Sequence, residues 1–176
     1  MSSDPLAPIA ALVYTPDDHV EPILLQAAQA LAARGVRLGG VLQRNLPRDP
    51  DDPCAMELED LHSGARFALS QSLGRGSEAC RLDPGSLAQA AMAVRHALDQ
   101  GVDLVMVNKF GAQEVAGAGL RDEMALAVTA GIPLLTAVGS RFLDEWAQFT
   151  GNQAVLLKPD LPAILDWWDN LKADAR

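Results

Sequence analysis

Short apolar runs alternate along the chain with longer stretches of helical spacing. IAALVY (9–14) is unbroken and apolar and leads into the polar TPDDHV; EPILLQAAQALAARG then repeats apolar residues every three to four positions until Gly35. The pattern predicts strand, loop and helix. VRLGGVLQ (36–43) resumes as a strand, so a βαβ unit with a right-handed crossover opens the fold.

RNLPRDPDDP (44–53) is polar and proline-rich and reads as a surface loop. MELEDL and ARFALSQ then flank HSG, two alternating segments about a tight turn, which predicts a β-hairpin inserted at about 55–72. SLGRGSEACRLDP (72–84) has two glycines and little periodicity and reads as a structured loop. Beyond it the alternation returns. GSLAQAAMAVRHALDQG is a helix with Pro84 in its first turn, VDLVMVN a strand, LRDEMALAVTAG a helix and IPLLTAV a strand. SRFLDEWAQFTG reads as helix, AVLL as a short strand, and DLPAILDWWDNLKADA as a last helix that Trp167 and Trp168 anchor, one of them available to an interface. Continuous apolar strands between helices require a mainly parallel sheet covered on both faces, an α/β three-layer sandwich. The expectation is one domain over residues 1–176.

Composition narrows the function classes. A net charge of −9 opposes binding to a phosphate backbone, which needs a clustered excess of Lys and Arg, while leaving room for a local basic pocket. Nucleic acid is excluded as the expected partner; a small anion is not. Cys54 and Cys80 fit neither a zinc finger nor a disulfide framework, and a reducing cytoplasm is the expected compartment. His19, His62 and His96 show no zinc spacing. With no basic flank on MSSDPLAPIA and no apolar run of ~20 residues, neither an export signal nor a membrane span is expected.

Ligands of such sheets bind outside the carboxyl ends of the strands. That rule selects YTPDDH, NKFGAQE, VGSR and the stretch ending in CRLD. The first loop lacks the G-x-x-x-x-G-K-[ST] of a phosphate loop and holds Asp17, Asp18 and Glu21 instead. Those carboxylates read either as helix capping or, for Asp17 and Asp18, as ligands of a hydrated magnesium ion. Tyr14 ends the strand before them. Asn108 and Lys109 end a later strand, where a rigid backbone presents an amide and a point charge suited to an oxyanion. Gly111 permits close approach, and Glu114 and Arg121 either face the same pocket or pair with one another. Arg75, Ser77 and Arg81 supply anion donors from a glycine-bearing loop, and Arg81 stands beside Cys80.

DLVMVNKFGAQEVAGAGLRDEMALAVTAGIPLLTAV, with GVRLGGVLQ and GRGSEACRLDP before it, resembles the uncharacterised bacterial family called domain of unknown function 2478. The resemblance runs from about Ile9 to Leu157, and its most specific element is Asn108 to Gly111. Members are often encoded beside molybdate-transport genes. The layout is also similar to small P-loop nucleoside triphosphatases, in a degenerate form. The resemblance departs from that group at TPDDH, where the phosphate loop would stand, and at Asn108-Lys109, where a metal-binding acidic pair would stand. It implies an accessory protein that binds a small oxyanion or phosphorylated ligand in molybdate handling, with Lys109, Asn108 and the 75–81 arginines as the donors. The alternatives are a divergent nucleotide hydrolase with magnesium as cofactor, and a non-catalytic module for a protein partner or a second copy.

Overall fold

The computed structural model describes residues 7–45, 56–68, 70–72, 80–82 and 84–174. Strands β1 (Ile9–Tyr14), β2 (Leu38–Asn45), β3 (Met56–Asp60) and β4 (Arg66–Ala68) come first, with helix α1 (Val20–Ala33) after β1. A short antiparallel pair follows, β5 (Ser70–Ser72) with β6 (Cys80–Leu82). Then come α2 (Pro84–Gln100), β7 (Leu104–Val107), α3 (Ala112–Val115) and α4 (Arg121–Thr129). The chain continues through β8 (Leu134–Gly139), a 3-10 turn (Ser140–Phe142), α5 (Leu143–Thr150), β9 (Val155–Leu157) and α6 (Leu161–Asp174).

Seven strands form one sheet in the order β4-β3-β2-β7-β8-β1-β9, parallel from β2 through β9 and antiparallel only at the β3 and β4 end. The hairpin read from MELEDL and ARFALSQ therefore extends one end of the sheet. Its second arm is shorter than its alternation suggests. Residues 66–68 pair with β3, while 70–72 take a different partner in β6, inside the stretch read as a loop.

Successive side chains of a strand point to opposite faces, and each face buries its own set. Ala10, Leu12, Leu104, Met106, Leu135 and Ala137 pack under α1 and α6 with Leu24, Leu31, Ile164, Trp167 and Trp168. Ala11, Val105, Val107, Leu134 and Val138 pack under α2, α4 and α5 with Val94, Met124 and Trp146. Apolar residues at both parities of a strand are what a sheet covered on both sides demands. Trp167 and Trp168 are 6% and 4% exposed, so both are anchors and neither is open to an interface. Asp160 caps α6 by accepting the Ala163 N–H at 2.8 Å, with Pro162 in the first turn. No helix of the described residues is long and apolar enough to cross a membrane.

Because β1, β8, β7 and β2 are parallel and in register, with Tyr14 beside Gly139 and Val41 beside Val107, their carboxyl ends share one edge. The segments 14–18, 108–114 and 138–141 lie along it, as the sequence predicts. Gly40 is what allows β2 and β7 to meet here. Its φ is +102°, and an added Cβ would collide with the Met106 carbonyl oxygen. At Gly35, which ends α1 with φ +87°, a Cβ meets nothing within 4 Å. Gly35→Ala should cost about 1 kcal/mol from backbone strain alone. Gly40→Ala adds a backbone collision and should cost about 2–4 kcal/mol in urea denaturation.

Candidate functional site

Between Val107, the last residue of β7, and Phe110 the chain leaves the sheet for two residues. It is pulled back at Phe110, whose N–H donates to the Ala137 carbonyl at 2.8 Å and which forms an isolated parallel bridge to Val138. The Phe110 ring is 1% exposed and lies 5.0 Å from the Trp146 ring and 5.2 Å from that of Phe149. With both ends held, Asn108 and Lys109 form the outward bow. Asn108 is half-buried and Lys109 is exposed.

The bow opens on a cleft of about 340 Å³. Its floor is apolar: Val107, Leu58 from β3, Leu120 from the start of α4, and Leu87 from the first turn of α2. Its rim is polar, with Asn108, Lys109, Gln43 at the end of β2, and Gln113 of α3. The side-chain amides of Asn108 and Gln113 have no hydrogen-bond partner among the described residues.

Glu114 lines the same cleft but is spoken for. It is 8% exposed; one carboxylate oxygen accepts the Gly111 N–H at 2.9 Å and the other accepts the Leu120 N–H at 3.0 Å. The first bond completes the capping of α3, and the second ties the loop 116–120 across it. Gly119 presses so closely on the carboxylate that a Cβ there would strike Glu114 Oε2. Gly111 is buried beneath the bow, beside the Lys109 stem. Arg121 donates to the Glu114 carbonyl at 3.3 Å and stacks 5.1 Å over Phe149. Of the two sequence readings, Glu114 faces the cleft and forms no ion pair with Arg121, whose guanidinium meets Glu114 only at its backbone carbonyl.

Lys109 has a distinct electrostatic position. Arginines 34, 37, 44, 66 and 95 each pair with a carboxylate. Arg121, Arg141 and Lys172 instead lie over aromatic rings. Among the described residues Lys109 and Lys158 have neither kind of partner, and Lys109 is the one that lines the cleft.

Tyr14 is not part of the cleft. It ends β1, one strand beyond β8, and its ring lies about 3.7 Å from the Cβ position of Gly139. Burial pushes the phenol above its usual range, the Glu21 carboxylate adds to that, Arg141 pulls it down and Glu114 pushes it up. Asp17 and Asp18 are exposed, and they precede α1, which starts at Val20, instead of occupying its first turn. Asp18 closes a turn by accepting the Thr15 N–H at 2.9 Å and the Thr15 hydroxyl at 3.2 Å. Of the three carboxylates, Asp18 thus serves a turn, and Glu21 alone lies in the first turn of the helix. Among the described residues no three His, Cys, Asp or Glu side chains gather into a metal-sized group. Arg75 and Ser77 lie outside the described residues; Arg81 has its backbone in β6, and its side chain lies outside them.

Gln43, Leu58, Leu87 and Leu120 were not foreseen as cleft residues. For Gln43 a signal existed, since it ends VRLGGVLQ, a strand to which the carboxyl-edge rule applies equally. Leu58 and Leu87 carry no such signal.

The family described as protein of unknown function (DUF2478) matches residues 9–167. Over 160 residues, 91% of this chain, the sequence is 42% identical to part of a protein of Bradyrhizobium diazoefficiens described as molybdenum import ATP-binding protein ModC 2. The match spans 18% of that protein's length. Two solved structures share the fold. The solution structure of a human cancer-related nucleoside triphosphatase superposes with a TM-score of 0.58 at 15% identity, over 86% of this chain and 88% of that one. The crystal structure of THEP1 from the hyperthermophile Aquifex aeolicus gives 0.60 at 13%, over 86% and 90%. At these identities the likeness is one of fold.

Two measurements check this geometry. Glu114→Gln keeps the shape but turns an NH2 toward one backbone N–H, and should cost about 2–3 kcal/mol in urea denaturation. The chain has one tyrosine, so an absorbance titration near 295 nm reads Tyr14 alone. Its midpoint should lie above ~10. Arg141→Ala should raise it further and Glu21→Gln lower it. Native stability should be unaffected by this group below the unfolded-state value and fall as pH rises through it, because the native state holds the proton longer.

Proposed function

The chain belongs to the family of proteins of unknown function DUF2478, and from that premise we propose that it is a cytoplasmic accessory protein whose cleft binds a small oxyanion or phosphorylated ligand, in a process tied to molybdate. The observation that supports this reading is Lys109, an exposed ammonium with no carboxylate partner among the described residues, held by a rigid strand end at the rim of the cleft. In a protein of net charge −9 most other described cations are matched by carboxylates or aromatic rings, so this one is held in reserve.

The molybdate connection rests on the relative described as a molybdenum import ATP-binding protein. This chain contains no G-x-x-x-x-G-K-[ST] anywhere, so what it shares with that longer protein is not a phosphate loop of its own. It corresponds to a module of that protein and would serve transport by sensing or holding a ligand, without hydrolysing ATP. The fold likeness to nucleoside triphosphatases favours a second reading, a divergent hydrolase with magnesium at Asp17 and Asp18 and Lys109 on the phosphates. Against it, β8 lies between β1 and β7, so the strand ends that carry the two groups are about 10 Å apart at ~4.8 Å per strand. Asp18 is also engaged by Thr15.

A thermal-shift screen with molybdate, tungstate, sulfate, phosphate and nucleotides finds the ligand, because whatever binds the native state raises the melting point. Lys109→Met should then weaken that ligand roughly tenfold or more in isothermal titration, given about 1.5–3 kcal/mol for a charge-assisted hydrogen bond. Equal affinities would remove Lys109 from the site. Phosphate release from nucleotides at ~10 per second, abolished by Lys109→Ala, would replace this reading with the hydrolase.

A further inference from the structure

As the described residues line it, the cleft is too large and too apolar for a bare tetrahedral oxyanion. Four oxygens about one centre fill on the order of 100 Å³, at ~30 Å³ for each water-sized group. The cleft offers about 340 Å³, within the ~300–1,000 Å³ range of pockets for organic ligands. A dianion stripped of water needs several donors and a positive surround. Among the described residues the charges on the lining are one ammonium, Lys109, and one carboxylate, Glu114, and much of the wall is Leu58, Leu87, Val107 and Leu120.

Resting on the reading of Lys109 as an anion donor, we infer that the ligand is a planar, hydrogen-bonding heterocycle carrying one phosphate. The ring lies against the leucines of β3, α2 and α4, where removing apolar surface from water favours a flat organic group and offers a bare anion nothing. Asn108 and Gln113 meet its edge. Each side chain offers a carbonyl and an NH2, and neither has a partner among the described residues, so they match mixed donors and acceptors better than an all-acceptor oxyanion. The phosphate sits at the open rim on Lys109. It stays partly hydrated there and clear of the Glu114 carboxylate, both of whose oxygens are turned to the backbone N–H groups of Gly111 and Leu120. The location is also distinct from the end of β1, where a nucleoside triphosphatase of this fold would carry its phosphate loop; β7 and β1 are separated by β8.

The test is isothermal titration of the full chain with the common nucleoside 5′-monophosphates and flavin mononucleotide, the matching unphosphorylated compounds, inorganic phosphate and molybdate. At least one heterocyclic monophosphate should bind tenfold or more tightly than inorganic phosphate and molybdate. Lys109→Met should weaken it about tenfold and leave its unphosphorylated parent unchanged. Leu87→Gln, at a half-buried position of the first turn of α2, should weaken monophosphate and parent together. Circular dichroism and melting temperature confirm that each variant is folded, and Gln113→Ala, at an exposed position, gives a second probe of the ring. Molybdate or phosphate binding as tightly as every heterocycle, with loss on Lys109→Met, would overturn this inference and leave the anion site standing. A monophosphate no tighter than its parent and indifferent to Lys109→Met would overturn the anion site, and the inference with it. Binding by none of these compounds would overturn both.

Discussion

The site depends on the return of the chain to the sheet at Phe110. One backbone hydrogen bond to Ala137 and one buried ring against Trp146 and Phe149 hold that point. Burial of a phenylalanine of this kind contributes about 1.5–3 kcal/mol, with a further ~0.5–1.5 kcal/mol for each well-placed aromatic pair. That is enough to hold a two-residue bow between Val107 and Phe110. Asn108 and Lys109 cannot rejoin the sheet without releasing it, so their outward position follows from the core beneath them. A lysine that would be costly one residue on, at the buried Phe110 position, stands in water here.

Glu114 secures the other wall. In an acidic chain a buried carboxylate is a liability unless it is fully hydrogen-bonded, and this one accepts two backbone N–H groups that would otherwise be orphaned, at the start of α3 and the start of α4. Along the sequence its expected partner is Arg121, an ion pair that the structure does not form. The geometry instead directs the carboxylate into the backbone and leaves the Lys109 ammonium outside. Among the described residues the cleft thereby keeps one positive charge, Lys109, without a carboxylate or aromatic partner beside an apolar wall.

The parallel strands β2, β7, β8 and β1 bring their carboxyl ends to one edge, the edge at which ligands of open α/β sheets bind. At the end of β1 stands a turn in which Asp18 accepts from Thr15, with none of the glycines or the lysine of a phosphate loop. The acidic residues of that turn oppose an anion, and the cation is found two strands away, at the end of β7. Loops at different strand ends of one sheet thus carry different charges, and fold alone does not assign the activity.

The local sequence was sufficient for the alternation of elements and for the edge on which chemistry would sit. Burial writes itself into a strand as an unbroken apolar run and into a helix as a 3.6-residue period, and both are visible without neighbours. LVMV followed by Asn108 and Lys109 announces a charged strand end for the same reason. Three things were decided only by the assembled structure. The strand order set β2 and its hairpin beside β7, bringing Gln43 and Leu58 to Asn108. The pairing of 70–72 with 80–82 divided what reads as one strand. The hydrogen bonds of Glu114 turned an apparent site carboxylate into a structural one. Each depends on which distant segments meet, and the free energy of such contacts belongs to pairs of residues far apart in the chain, where a pattern read along one segment carries no trace of it.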